Sequence, residues 1–144
     1  MKDRRGFTFI ELIVTVAVLA ILLLVALPGC NGLYHRFLLK TTADEMKSAL
    51  YLAQQYSIDE SRDYCFELFD DIFRIREPKI GGKIAYRQKI DEKIKVLPGY
   101  SSDVTYNCHG ITPYSKFVLA NRRGERVQVE VMLGTGRVRV SDIY

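Results

Sequence analysis

The sequence predicts an α+β fold: a long N-terminal helix, membrane-spanning in its first half and amphipathic in its second, packed on an antiparallel β-sheet. Three observations predict it. No Asp, Glu, Lys or Arg occurs from Leu12 to His35. Apolar residues then recur at helical spacing as far as Ser57. Beyond Arg62 the period falls to two, with turn residues between short apolar runs.

Residues 1–6 are a short basic stretch, and residues 7–27 form the first element. Phe7 to Leu27 supplies 21 residues with Glu11 as the one charge, and about 20 helical residues cross a hydrocarbon core of about 30 Å. Lys2, Arg4 and Arg5 precede the run, so this end stays in the cytoplasm and everything after Leu27 lies outside, with membrane lipid around the span. A secretory signal peptide fits less well, because the run is longer than an h-region and no small-residue cleavage site follows it. Glu11 is the anomaly. A carboxylate in an apolar helix costs roughly 2.5 kcal/mol or more, unless it snorkels to the headgroups or finds a partner.

The second element, residues 28–62, is an amphipathic stem. Leu39, Ala43, Met46, Leu50, Ala53 and Ser57 alternate at intervals of four and three, which marks one face of a helix running from about Leu33 to Asp59. Lys40, Asp44, Lys47 and Gln54 are among its polar positions. A Met and Leu stripe of this kind is a core face.

Residues 63–144 make the sheet domain. Tyr64 to Phe69 and Ile72 to Arg76 read as strands joined at Asp70-Asp71, followed by weaker strands at Lys83 to Ile90, Ile94 to Leu97 and Val104 to Asn107. Pro78 to Lys83 is a loop. Lys116 to Ala120, Glu125 to Leu133 and Arg137 to Ser141 form a meander, with turns at Asn121-Arg122-Arg123-Gly124 and Gly134-Thr135-Gly136.

The 144 residues are 48% hydrophobic and 26% charged, which suits one small domain behind an apolar segment and excludes a multi-domain enzyme with its own cofactor fold. Nothing points to catalysis. Cys108 and His109 are adjacent and would face opposite sides of a strand, no G-x-S-x-G occurs, and Asp70-Asp71 and Asp91-Glu92 fall in turns. No cofactor or metal is expected, since neither a CxxC nor an HxxxH pair is present. Cys65 and Cys108 either form a disulfide, worth about 4 kcal/mol for a loop of this length, or remain two buried thiols. The sequence leaves both readings open.

The net charge of +4 is unevenly placed. From His109 onward, Lys116, Arg122, Arg123, Arg126, Arg137 and Arg139 face only Glu125, Glu130 and Asp142. In a strand, Arg137 and Arg139 share one side about 6.6 Å apart while Val138 and Val140 take the other. Arg122 and Arg123 sit on the preceding turn, and Arg126 extends the patch. Arginine's planar fork suits phosphate oxygens; a solvated hairpin face is the simpler reading of the same residues.

Arg4-Arg5-Gly6-Phe7-Thr8-Phe9-Ile10-Glu11 resembles the class III signal of type IV pilins and pseudopilins. The resemblance implies that residues 1–6 are a leader peptide cut off between Gly6 and Phe7 by prepilin peptidase, that Phe7 is N-methylated, and that Glu11 pairs with the N-terminal amine of a neighbouring subunit during assembly. Pro28 adds to it, because the family often carries a proline about three-quarters along this helix, where the missing N–H loosens or kinks it. Gly110-Ile111-Thr112, Phe117 to Asn121, Val127 to Val131 and Gly136-Arg137-Val138-Arg139 are similar to the closing hairpins of FimT/GspH-type minor pseudopilins. That likeness implies a filament subunit whose partners are other pilin subunits, the peptidase and an inner-membrane assembly platform. Gly-Arg-x-Arg resembles the ending with which FimT-type pilins hold double-stranded DNA during uptake. A structural or priming subunit of a pilus or type II secretion system is the alternative.

Overall fold

The computed structural model describes residues 8–144, with side chains for 8–24 and 32–144. Among the described residues one helix, α1 (Phe9–Asp59), is followed by eight strands, and the chain divides into two compact units at Tyr34/His35.

In the first unit Thr8 caps the helix. Its N–H and hydroxyl donate to Glu11 Oε2 at 2.8 and 2.9 Å, and its hydroxyl accepts the Glu11 N–H at 3.3 Å, the reciprocal pattern of a capping box. The apolar side chains from Phe9 to Leu24 are exposed. Among the described residues no helix is long and apolar enough to cross a membrane; Phe7 and the side chains of 25–27, which belong to the expected span, lie outside them, as does that of Pro28.

The second unit holds the core. All six residues of the stripe, from Leu39 to Ser57, are fully buried, with Thr42 and Ala49 beside them. The strands are β1 (Tyr64–Leu68), β2 (Ile72–Arg76), β3 (Ile84–Lys89), β4 (Ile94–Val96), β5 (Asp103–Tyr106), β6 (Ser115–Asn121), β7 (Arg126–Val131) and β8 (Val138–Val140). They form two four-stranded sheets, β3-β2-β1-β5 and β4-β6-β7-β8, with antiparallel pairing throughout. The expected antiparallel sheet is therefore split in two. Periodicity locates strands but not their partners, and here β4 crosses to β6 while β5 returns to β1. Phe66 of β1 meets Phe73 of β2 at 5.6 Å and Phe117 of β6 at 5.7 Å, so an aromatic cluster joins the sheets under the helix.

Register settles the cysteines. Cys65 stands opposite Thr105, so Cys108 lies about three residues, or roughly 10 Å, further along, beyond the reach of a disulfide. Both thiols are free, Cys65 buried and Cys108 half-buried, which corrects the bridged alternative. Cys108 and His109 sit in the turn after β5 rather than in a strand, where Asp63 Oδ1 accepts the Cys108 N–H at 3.1 Å.

Candidate anion-binding face of the C-terminal hairpins

The β6–β7 turn is built around Asn121. Its Oδ1 accepts the N–H groups of Arg123 and Glu125 at 3.0 and 3.1 Å, its Nδ2 donates to Glu125 at 2.7 Å, and Gly124 supplies the left-handed residue at φ +82°. Arg36 Nε on α1 donates to the other Glu125 oxygen at 2.6 Å. The Asn121 amide and the Arg36 guanidinium hold the Glu125 carboxyl below its usual range. The turn's acid is thus committed to structure, and Arg122 and Arg123 stand exposed at its tip.

The β7–β8 turn is anchored from the helix. Gln54 Nε2 donates to Gly110 O at 2.9 Å and to Thr135 O at 3.0 Å. Tyr51 OH accepts the Val138 N–H at 3.3 Å. Gly136 has φ +63°, and a Cβ there would lie 2.6 Å from Gln54 Nε2 and 2.9 Å from Tyr106 Cε1, so only glycine lets the turn approach so closely. The strand that follows alternates as expected: Arg137 and Arg139 are exposed and Val138 is buried.

Strand register spreads the arginines out. Arg139 faces Glu130, which faces Lys116; Lys116 Nζ is 4.0 Å from Glu130 Oε1, and Tyr114 OH donates to that oxygen at 3.3 Å. Arg126 lies four residues from Glu130, about 13 Å along β7, with Arg122 and Arg123 beyond it. The five expected residues therefore do not converge on one cluster. They line the outer side of the hairpin, with Arg137 at one end and Arg122 and Arg123 at the other.

Four other arginines in the domain are paired with acids, Arg36 with Glu125 and three more with Glu67 and Glu77, while Arg87 on β3 is exposed and unpaired among the described residues. Glu67 takes Arg74 at 2.6 Å and Arg76 at 2.8 Å, and Glu77 takes Arg62 at 3.1 Å. By contrast, among the described residues the guanidinium groups of Arg122, Arg126, Arg137 and Arg139 make no hydrogen bond or ion pair. Among the same residues no group of His, Cys, Asp and Glu could hold a metal ion.

Residues 1–27 match the prokaryotic N-terminal methylation motif. No curated protein matches the sequence. The structure is similar to Escherichia coli GspH (TM-score 0.60, 16% identity, covering 74% of this chain and 89% of that one). It is also similar to the minor pseudopilin EpsH of the Vibrio cholerae type 2 secretion system (TM-score 0.58, 11% identity, 72% and 95%). The Pseudomonas aeruginosa type IV minor pilin FimU matches at TM-score 0.59, with 12% identity over 72% of this chain and 88% of that one. The fold is that of the minor pilins and pseudopilins.

In this minor-pilin fold, Gly6 and Phe7, the expected cleavage and methylation positions, lie outside the described residues. Glu11 is described, and it carries a local role that charge and hydropathy alone do not suggest. It closes the capping box with Thr8. The signal for this was present in the sequence as Thr8-x-x-Glu11 at the start of an apolar run.

Proposed function

We propose that the chain is a minor pilin or pseudopilin subunit that binds double-stranded DNA through its C-terminal hairpins. Prepilin peptidase cuts it between Gly6 and Phe7, Phe7 is methylated, and the following apolar helix holds it in the membrane until an assembly platform adds it to a filament of pilin subunits. Glu11 then pairs with the amine of a neighbour's first residue. The observation that carries the DNA reading is the row of exposed arginines on one hairpin whose guanidinium groups make no ion pair among the described residues, whereas Arg36, Arg62, Arg74 and Arg76 are paired and the unpaired Arg87 stands apart on the other sheet. Phosphate contacts of this kind ignore sequence and weaken steeply with salt.

The domain of residues 35–144, titrated with a duplex at several salt concentrations beside Arg137→Ala/Arg139→Ala, tests it. The double variant binds weakly, with a salt slope flatter by about two units. Failure of the parent to bind at low salt refutes DNA binding. It then favours a structural or priming subunit, a reading supported by Glu130, whose carboxylate stands in register with both Arg139 and Lys116.

A further inference from the structure

We propose a second phosphate-binding site on the same sheet, a groove between β4 and the β6–β7 turn that takes the phosphodiester backbone of nucleic acid. It rests on the DNA reading for the identity of the ligand, but its chemistry rests on Lys95 and Arg126 rather than on Arg137 and Arg139. Pairing of β4 with β6 and of β6 with β7 places Lys95, Ala120 and Arg126 in one row. Residues in one row share a face, and two strand spacings set the backbones of Lys95 and Arg126 about 10 Å apart. Between them Ala120 offers a methyl group as the floor. Two long cationic side chains thus flank a shallow trough, which a groove of about 670 Å3 records. Arg122 and Glu92 line it and also line an adjoining space of about 440 Å3 that reaches Lys89.

The charge balance favours an anion. Lys89, Lys95, Arg122 and Arg126 line the two spaces against the carboxylates of Asp91 and Glu92, and Asp91 is engaged in accepting the Lys93 N–H at 2.9 Å. Lys95 and Arg126 are exposed, and their side chains enter no hydrogen bond or ion pair among the described residues. The second row on this face, Lys116–Glu130–Arg139, lies about 13 Å further along β7. Together the rows make a track with cations on both sides, and an extended polyanion fits it better than a single small anion. Sequence could not single out Lys95, because it joins the arginines only through the crossing of β4 into their sheet.

The test uses the full-length protein in detergent micelles and a duplex labelled for anisotropy, over a series of salt concentrations. Lys95→Gln is expected to flatten the slope of log affinity against log salt by about 0.9, and Lys95→Gln/Arg126→Gln by about 1.8, as phosphate contacts are lost. Arg87→Gln, the same charge loss on the exposed face of the other sheet, leaves the slope unchanged. If Lys95→Gln binds like the parent while Arg137→Gln/Arg139→Gln binds weakly, the groove is overturned and the DNA reading stands. If the groove variants weaken binding and the Arg137/Arg139 variant does not, the groove stands alone. If the parent binds heparin with the same dependence on Lys95 but does not bind DNA, the nucleic-acid assignment falls for both sites.

Discussion

Gly136→Ala separates two costs that usually arrive together. The first is conformational: an alanine in the left-handed region costs about 1–2 kcal/mol. The second is specific to this turn, where the new Cβ would stand 2.6 Å from Gln54 Nε2 and 2.9 Å from Tyr106 Cε1. The Tyr106 ring is fully buried and cannot withdraw. The Gln54 amide can swing away, but only by releasing the carbonyls of Gly110 and Thr135, and each lost bond costs about 0.5–1.5 kcal/mol. The sum is about 2–5 kcal/mol. Gly124→Ala supplies the comparison, because Gly124 has φ +82° and a Cβ there would meet nothing within 4 Å; it should cost only the first amount. Urea unfolding of residues 35–144 measures both. If the two substitutions agree within about 0.5 kcal/mol, the Gln54 clamp does not hold the turn, and the positioning of Arg137 must have another source.

Tyr106→Phe should raise the melting temperature by about 4 °C or more, since the buried hydroxyl has no hydrogen-bond partner among the described residues and its desolvation costs about 1 kcal/mol or more; a lower melting temperature refutes this. Burial pushes the Glu67 carboxyl up, but the bonds from Arg74 and Arg76 outweigh it and hold it below its usual range. Its contribution is therefore present above about pH 4.3 and is lost as pH falls through the depressed value. Glu67→Gln should flatten the acid limb of a stability–pH curve, and an unchanged limb sinks the argument. Gly6→Leu should leave the leader attached, so a mature mass equal to the parent's removes the cleavage assignment. At Glu11, glutamine keeps the capping box but not the charge, whereas valine loses both. Charge pairing predicts that both substitutions lower incorporation into filaments, and normal incorporation of Glu11→Gln leaves capping as the role.

Local patterns were legible wherever one residue type on one face decides the outcome. The stripe from Leu39 to Ser57 is buried as its spacing requires, and the alternation of Arg137, Val138 and Arg139 survives in the strand. What stayed hidden depends on pairing between distant segments. Nothing near β4 says that Lys95 will face Arg126, and nothing near Cys65 says that Thr105, rather than Cys108, will stand opposite it. Gln54 shows the same limit, since it reads as one more polar helix position until Gly110 and Gly136 bring two turns onto its amide. The arginines were correctly seen as exposed, but their spread along β7 follows from register alone.

The exchange of β4 and β5 between sheets has a consequence for how the domain comes into being. Each sheet draws a strand from within the stretch of chain that builds the other, so neither is a contiguous segment that can close first. β1 waits for β5 some 40 residues later, and β4 has no partner until β6 has been made. A chain made from its amino end holds unpaired edges until nearly all of it is present. A domain cut short anywhere before β8 is therefore not a smaller version of this one but an incomplete one.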